Sequence, residues 1–209
     1  MNTLILDCSC GMNIYLECGE KKYSKVDDTK NRHTDELLLA VDELLKKANI
    51  IIKQIDNIVV CVGPGSFTGI RVAISMTKGL AVGINAKIFC LSNFDVFDID
   101  SNDCFLVLEG FSNFVYVREI ENKSHKDYCI DLKEFAENVK VKQSKDVYVL
   151  SKKTQNQLKN FEISSILAKN DTYNCANQKI KNNEQVEMNK VYPVYLRASQ
   201  AEIEREKKK

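Results

Sequence analysis

The chain has 209 residues, of which 44% are hydrophobic, enough to bury one sizeable core or two modest ones without covalent staples. Its 30 Lys and Arg against 29 Asp and Glu leave a formal charge of +1, which excludes a chain-wide field that would draw it to nucleic acid or an anionic membrane. Eight cysteines run from Cys8 to Cys175 with only Cys8-Ser9-Cys10 close together, so neither a disulfide framework nor a two-knuckle zinc site is spelled out. Buried reduced thiols are the expectation, and a metal on Cys8, Cys10 and Cys18 is the alternative.

The first residues pass straight into a strand pattern, and no run reaches about 18 apolar residues without a charge, so a soluble cytoplasmic protein with no membrane contact is expected. Residues 3–8 read as a buried strand, 12–18 alternate as a second, and 21–26 form a third after the Gly19-Glu20 turn. From Leu37 the apolar residues fall at 37, 38, 41, 44, 45 and 48, a helical stripe with Thr34 as cap and Asp35 and Glu36 in the first turn. Leu39 projects from the opposite side, among Asp35, Asp42 and Lys46.

A strand at 58–62 then breaks into Gly63-Pro-Gly-Ser-Phe-Thr-Gly69, from which a helix starts. Ser66 or Thr68 can cap it, and such a turn suits an anion or another backbone coming close. Within 67–85 the long polar side chains are Arg71, Lys78 and Asn85, seven apart, while Gly69, Ala73, Met76, Gly79 and Gly83 line one side with little bulk. That helix needs cover on two sides. One is its own sheet; the other is a second chain or the C-terminal half, and periodicity does not choose.

Residues 87–91 close this half as a strand, and 104–108 with 114–120 form a hairpin-like pair across Glu109-Gly110. Helices are expected at 131–139 and 152–159, and strands at 147–150 and 162–167. Residues 170–189 are polar with few apolar anchors, so a loop is expected there. The island Val191-Tyr-Pro-Val-Tyr-Leu-Arg197 must dock on something, and 202–209 is a charged tail.

The β-β-β-α-β-α-β order, Asp7 at the end of the first strand, the run Gly63-Pro-Gly-Ser-Phe-Thr-Gly-Ile-Arg71, Arg32-His33-Thr34 before Leu37 and Leu38, and Pro193-Val-Tyr-Leu-Arg197 together resemble the TsaB (YeaZ) family. The resemblance rests on 3–91 and 191–197. It implies an α/β, two-lobed actin-like ATPase (ASKHA, ribonuclease H-like) fold with mixed sheets and a reduced C-terminal lobe. The lobes would be 1–95 and 96–190, with 191–209 docking back. It also implies a non-catalytic scaffold role in making N6-threonylcarbamoyladenosine in tRNA. The partners implied are the transferase TsaD in a heterodimer and the ATPase TsaE in a larger complex, with a homodimer for the chain alone and tRNA met only through the complex. The partner interface carried over is His33, Leu37, Leu38, Val41, Leu45, Gly69, Val72, Ala73, Met76, Gly79 and Gly83.

The residues themselves argue against chemistry. His33 and His125 are the two histidines, so the His-x-x-x-His pair of a TsaD-type metal site is absent, which also disfavours an M22-like peptidase. A Walker loop needs a Lys that the glycine turn lacks until Lys78, and no glycine follows Gly110 to make a second phosphate hairpin. A nucleotide site on Asp7, Ser9, Gly63, Gly65 and Ser66 belongs to the rival reading, an ASKHA-type small-molecule kinase. The expectation is no catalytic residue, no metal and no cofactor on the chain alone, with ATP or ADP and Mg confined to a complex interface. Glu109-Gly110-Phe111 departs from the Asp-Ala-Arg that relatives often carry at this turn.

Overall fold

The structure, a computed structural model, describes residues 1–27, 33–142 and 145–197, with the backbone alone for 33–35. The chain divides into two compact units, one made of 1–95 with 172–195 and the other beginning at Val96 and running to Asp171, with the chain returning to it at Leu196.

In the first unit β1 (Asn2–Asp7), β2 (Met12–Cys18) and β3 (Lys21–Asp27) form an antiparallel meander. Helix α1 (His33–Ala48) leads to β4 (Asn57–Gly63), and helix α2 (Phe67–Ile84) leads to β5 (Lys87–Ser92). Both of these strands are parallel to β1, in the order β3-β2-β1-β4-β5. Alternation sorts the side chains by face: Leu4, Leu6, Ile14, Leu16, Ile58 and Val60 join Leu37, Val41, Leu44, Ile70 and Ala73 in one core against α1 and α2. Helix α2 is 18 residues long and apolar enough by composition to cross a membrane, yet it buries Gly69, Ile70, Ala73, Ile74, Thr77 and Ala81 in this unit.

The second unit begins with β6 (Phe97–Asp98), followed by β7 (Asp103–Glu109), β8 (Phe114–Glu121) and β9 (Ser124–Asp131) as another meander. Helix α3 (Leu132–Val141), capped by the Asp131 side chain, leads to β10 (Asp146–Val149). Helix α4 (Lys152–Lys159), capped by Ser151, leads to β11 (Ile166–Leu167). β12 (Lys169–Asn170) pairs with β6. The main sheet runs β11-β10-β7-β8-β9, with β10 and β11 parallel to β7. Read from its far edge, this is the same order of meander and parallel crossovers as in the first unit. Phe105, Val107, Val117 and Val149 pack with Leu132, Phe135 and Leu158 in its smaller core.

Three expectations change. Strand β9 was unforeseen, because Ser-His-Lys-Asp-Tyr-Cys-Ile-Asp carries few apolar residues; it is secured by an eight-residue register with β8 and by Arg118, whose two donors each reach a carboxylate oxygen of Asp127 at 2.8 Å. The strand expected over 162–167 shrinks to Ile166–Leu167, since Glu162 has a positive φ of 63° and the chain is still turning.

The third change concerns 170–189, expected as a loop in the C-terminal lobe. From Thr172 onward it belongs to the first unit, beginning with helix α5 (Thr172–Lys181), so the expected 96–190 boundary moves to Asp171. The helix docks through small and polar groups that leave no apolar stripe. Thr172 and Ala176 are buried, Tyr173 lies edge-on to Tyr15 and donates to the Tyr23 carbonyl at 2.9 Å, and Asn177 donates to Glu17 at 2.9 Å. Tyr15 and Glu17 point opposite to Ile14 and Leu16, so α5 covers the sheet face away from α1 and α2.

Candidate functional site

The glycine turn, the β1–β2 turn and the residues after β5 meet at the C-terminal ends of the parallel strands, where open α/β sheets place ligands. Ser66 caps α2, its Oγ accepting from the Gly69 N–H at 3.2 Å, and its own N–H donates to the Ser9 carbonyl at 2.8 Å. The β1–β2 turn thus lies directly on the turn that starts the helix. A Cβ on Gly65 would fall 2.5 Å from the Ser9 carbonyl oxygen, and one on Gly69 would fall 1.9 Å from that of Cys8. Both glycines serve backbone approach. The Gly63-Pro64 bond is cis.

Asp7 accepts from Ser9 twice at its Oδ1, from the N–H at 2.9 Å and from the hydroxyl at 2.5 Å. Enclosure pushes the Asp7 carboxyl above the ordinary carboxylate range, against the pull of the Ser9 donors and of Cys61 and Asn13. Asn93 closes the cluster. Its amide donates to Ser9 Oγ at 2.6 Å and to the Pro64 carbonyl at 2.7 Å, its N–H donates to the Gly63 carbonyl at 2.9 Å, and its Oδ1 accepts from the Cys61 thiol at 2.9 Å. Burial and then the Asp7 charge push the Cys8 thiol up to about 12, and burial likewise raises Cys61 well above the ordinary thiol range. Neither thiol is a ready nucleophile. Sequence reasoning missed Asn93, which has no motif of its own.

Asp7, Ser9, Gly63, Gly65 and Ser66 are therefore brought together, but their hydrogen-bonding groups are largely spent on one another. Among the described residues no group of three or more His, Cys, Asp or Glu is placed to hold a metal ion. His125 lies exposed on β9 in the second unit.

The residues expected at a partner interface divide in two. Leu37, Val41, Leu45, Gly69 and Ala73 are buried in the first unit's own core or against its backbone and present no surface to a partner, because helix periodicity alone does not say which side the sheet takes. Leu38 lies outward at 61% exposure, although the apolar stripe had included it, and Leu39 stands out beside it. Val72 and Met76 are half-buried, Gly79 and Gly83 are exposed, and Val82 is exposed on the same helix. The side chains of His33 and Thr34, and all of Arg32, lie outside the described residues.

The C-terminal island docks on α2. Val191 is buried in the core, the Val194 N–H donates to the Val62 carbonyl at 2.8 Å, and the Tyr195 ring stacks on Phe67 at 4.1 Å with an interplanar angle of 5°. Arg71 Nε donates to the Tyr195 hydroxyl at 2.6 Å. Back in the second unit, Arg197 lies over the Phe114 ring at 4.0 Å. The charged tail lies outside the described residues.

Two sheets of the same strand order, each with helices packed on it, define a two-lobed α/β fold of the ASKHA type. A solved structure of YeaZ from Pseudomonas aeruginosa has this fold, matching with a TM-score of 0.68 at 20% identity over 93% of this chain and 100% of that one. The ethanolamine utilization protein EutJ from Carboxydothermus hydrogenoformans matches at a TM-score of 0.51 and 12% identity, over 80% and 84% of the two chains. In sequence, residues 27–98 match the family model described as TsaD: tRNA N6-adenosine threonylcarbamoyltransferase. A tRNA threonylcarbamoyladenosine biosynthesis protein TsaB from Buchnera aphidicola is 37% identical over 65 residues, 31% of this chain and 29% of that protein. TsaB from Haemophilus influenzae is 36% identical over 76 residues, 36% of this chain and 31% of the relative. A tRNA N6-adenosine threonylcarbamoyltransferase from Borreliella afzelii is 35% identical over 75 residues, 35% of this chain and 22% of the relative. The chain thus spans about a third or less of each relative's length in these matches. TsaB and YeaZ recur among them, and the resemblance of this chain to the TsaB (YeaZ) family holds.

Proposed function

We propose that the chain acts in tRNA threonylcarbamoyladenosine biosynthesis as a non-catalytic subunit that pairs with the transferase TsaD and supports docking of TsaE. The observation that carries this reading is the outward face of α1 and α2, where Leu38, Leu39 and Val82 are exposed and Gly79 has open space where a Cβ would be. Both helices fall inside the 27–98 stretch that matches the TsaD family model, so a partner of that kind has a related helix pair to set against them. The crowding of the glycine turn by Ser9 and Asn93 supports the absence of an independent nucleotide site. ATP or ADP with Mg is then met at the joint with the partner, and tRNA through the assembled complex.

Reconstitution is the test: TsaD and TsaE with the adenylate-forming enzyme, tRNA, ATP, threonine and bicarbonate, with and without this protein. Modified adenosine is expected to accumulate over many turnovers with it present, and equal product without it refutes the proposal. Calorimetry on the chain alone with MgATP is expected to give no binding heat. Micromolar binding would favour the kinase reading instead.

A further inference from the structure

We propose that the free edge of β11, with the cleft between it and α4, takes up an extended acidic segment of a partner protein as an added strand. The surface belongs to the second unit alone and stands whether or not the pairing role above holds. β11 is the last strand of its sheet, joined to β10 on one side. Val149 lies opposite Leu167, and the Ala168 N–H donates to the Val149 carbonyl at 2.8 Å. In a parallel ladder that bond turns the groups flanking Leu167 to β10, and Leu167's own N–H and C=O outward. Two residues earlier the Ser165 carbonyl has the same outward aspect, and it accepts from the Gln155 side-chain amide at 2.9 Å. Gln155 therefore stands where a neighbouring strand's N–H would be. Among the described residues nothing takes that place at Leu167.

Proteins ordinarily blunt such an edge with Lys, Pro or a bulge. Here residues 163–168 hold no charge and no Pro, and Ile166 and Leu167 are 46% and 43% exposed on opposite faces. The Ser165 hydroxyl is buried with no hydrogen-bond partner, so the approach to the strand is already short of polar partners. An edge left bare in this way suits pairing with another chain.

Beside the edge lies a cleft of about 480 Å³, lined by Gln155, Asn156 and Lys159 of α4 and by Ile163, Ser164 and Ser165. No carboxylate lines it, and among the described residues Lys159 makes no ion pair. Glu162, the acid next in the chain, is taken by Lys140 at 3.2 Å. An added strand lies about 4.8 Å from β11 and sends every second side chain to one face. On the cleft side it meets an ammonium, an amide and a hydroxyl, which together suit a carboxylate. The apolar edge and its outward backbone groups favour a peptide over a small anion.

The test selects a random-peptide phage library on the purified full chain and measures the enriched peptides on it and on Leu167→Pro, Leu167→Ala and Lys159→Glu, with thermal melting as the folding control. Leu167→Pro deletes an outward N–H and keeps the bonds to β10, at an edge where proline is tolerated. Enriched peptides are expected to alternate apolar with acidic residues and to bind Leu167→Pro and Lys159→Glu about tenfold more weakly. Leu167→Ala, which keeps the N–H, is expected to lose less. Exchange of the Leu167 amide hydrogen is expected to slow on binding. If Leu167→Pro does not melt cooperatively, Lys159→Glu, exposed near the end of α4, decides. No enrichment, or enriched peptides that are not acidic or that ignore these substitutions, overturns the proposal. A dimer in sedimentation that Leu167→Pro dissolves would make a second copy the occupant. Citrate or inorganic phosphate binding in place of peptide, with Leu167 exchange unchanged, would make the cleft a small-anion site. Either result refutes the assignment.

Discussion

Gly69 and Gly79 sit on the same helix and should answer the same substitution with opposite signs. Gly69→Ala forces a methyl to 1.9 Å from the Cys8 carbonyl oxygen, where the neighbour is backbone and cannot swing away; a loss of about 3 kcal/mol or more is expected in denaturant unfolding. Gly79→Ala meets nothing within 4 Å and replaces the most flexible residue of a helix interior, so a gain of about 1 kcal/mol is expected. Comparable losses at both positions would refute the close-approach role of Gly69. The same cluster predicts a pH dependence. An acid whose pKa is raised by folding binds more protons folded than unfolded, so its contribution is full below the unfolded value of about 4 and is lost as pH rises through the folded pKa. Asp7→Asn retains an acceptor for Ser9 and is expected to remove that decline from a stability-versus-pH series. A decline of equal size in the variant would show that another group causes it.

Among the elements, the segment Val191–Tyr195 forms no strand, yet it fastens α2 from outside the sheet. Tyr195→Ala removes the stacked ring and the acceptor of Arg71; a cost of about 1–2 kcal/mol is expected in thermal or denaturant melts, whereas Tyr195→Phe should keep most of the ring's share. Equal losses in the two variants would mean that the hydrogen bond, and not the ring, holds the segment. Its apolar island stood out in the sequence, and so did the bounds of α2 and a cap at Ser66 or Thr68, between which the structure chooses Ser66, because each depends on residues a few positions apart. Helix α5 and strand β9 did not stand out. Their support comes from partners remote in sequence: Tyr173 bonds to Tyr23, Asn177 to Glu17, and β9 is held by its register with β8. Polar contacts of that kind leave no periodic trace in a single chain. The candidate site was legible to the same extent. Asp7, Ser9 and the glycine turn could be picked out, while Asn93, which ties them together, could not.

For the whole molecule, the first unit is closed by residues that arrive after the second has been made. A chain stopped at Asp171 would lack α5, Val186 and Val191, all of which pack on the first unit. Such a truncation is expected to abolish cooperative melting of the first unit, with near-ultraviolet dichroism and hydrogen exchange as the readouts, while retained protection in β1 and β4 would contradict it. Composition, apolar alternation and the glycine–proline turn settled, from the sequence by itself, an α/β protein whose first half is a meander followed by two helix crossovers, since these are local patterns with local causes. The tertiary structure alone decided that Leu37, Val41 and Ala73 face inward while Leu38 and Val82 face out, that the glycine turn is filled by Ser9 and Asn93, and that 172–195 returns to the first unit. Each of these is a contact between segments far apart in the chain, and distance in sequence is what a periodic pattern cannot span.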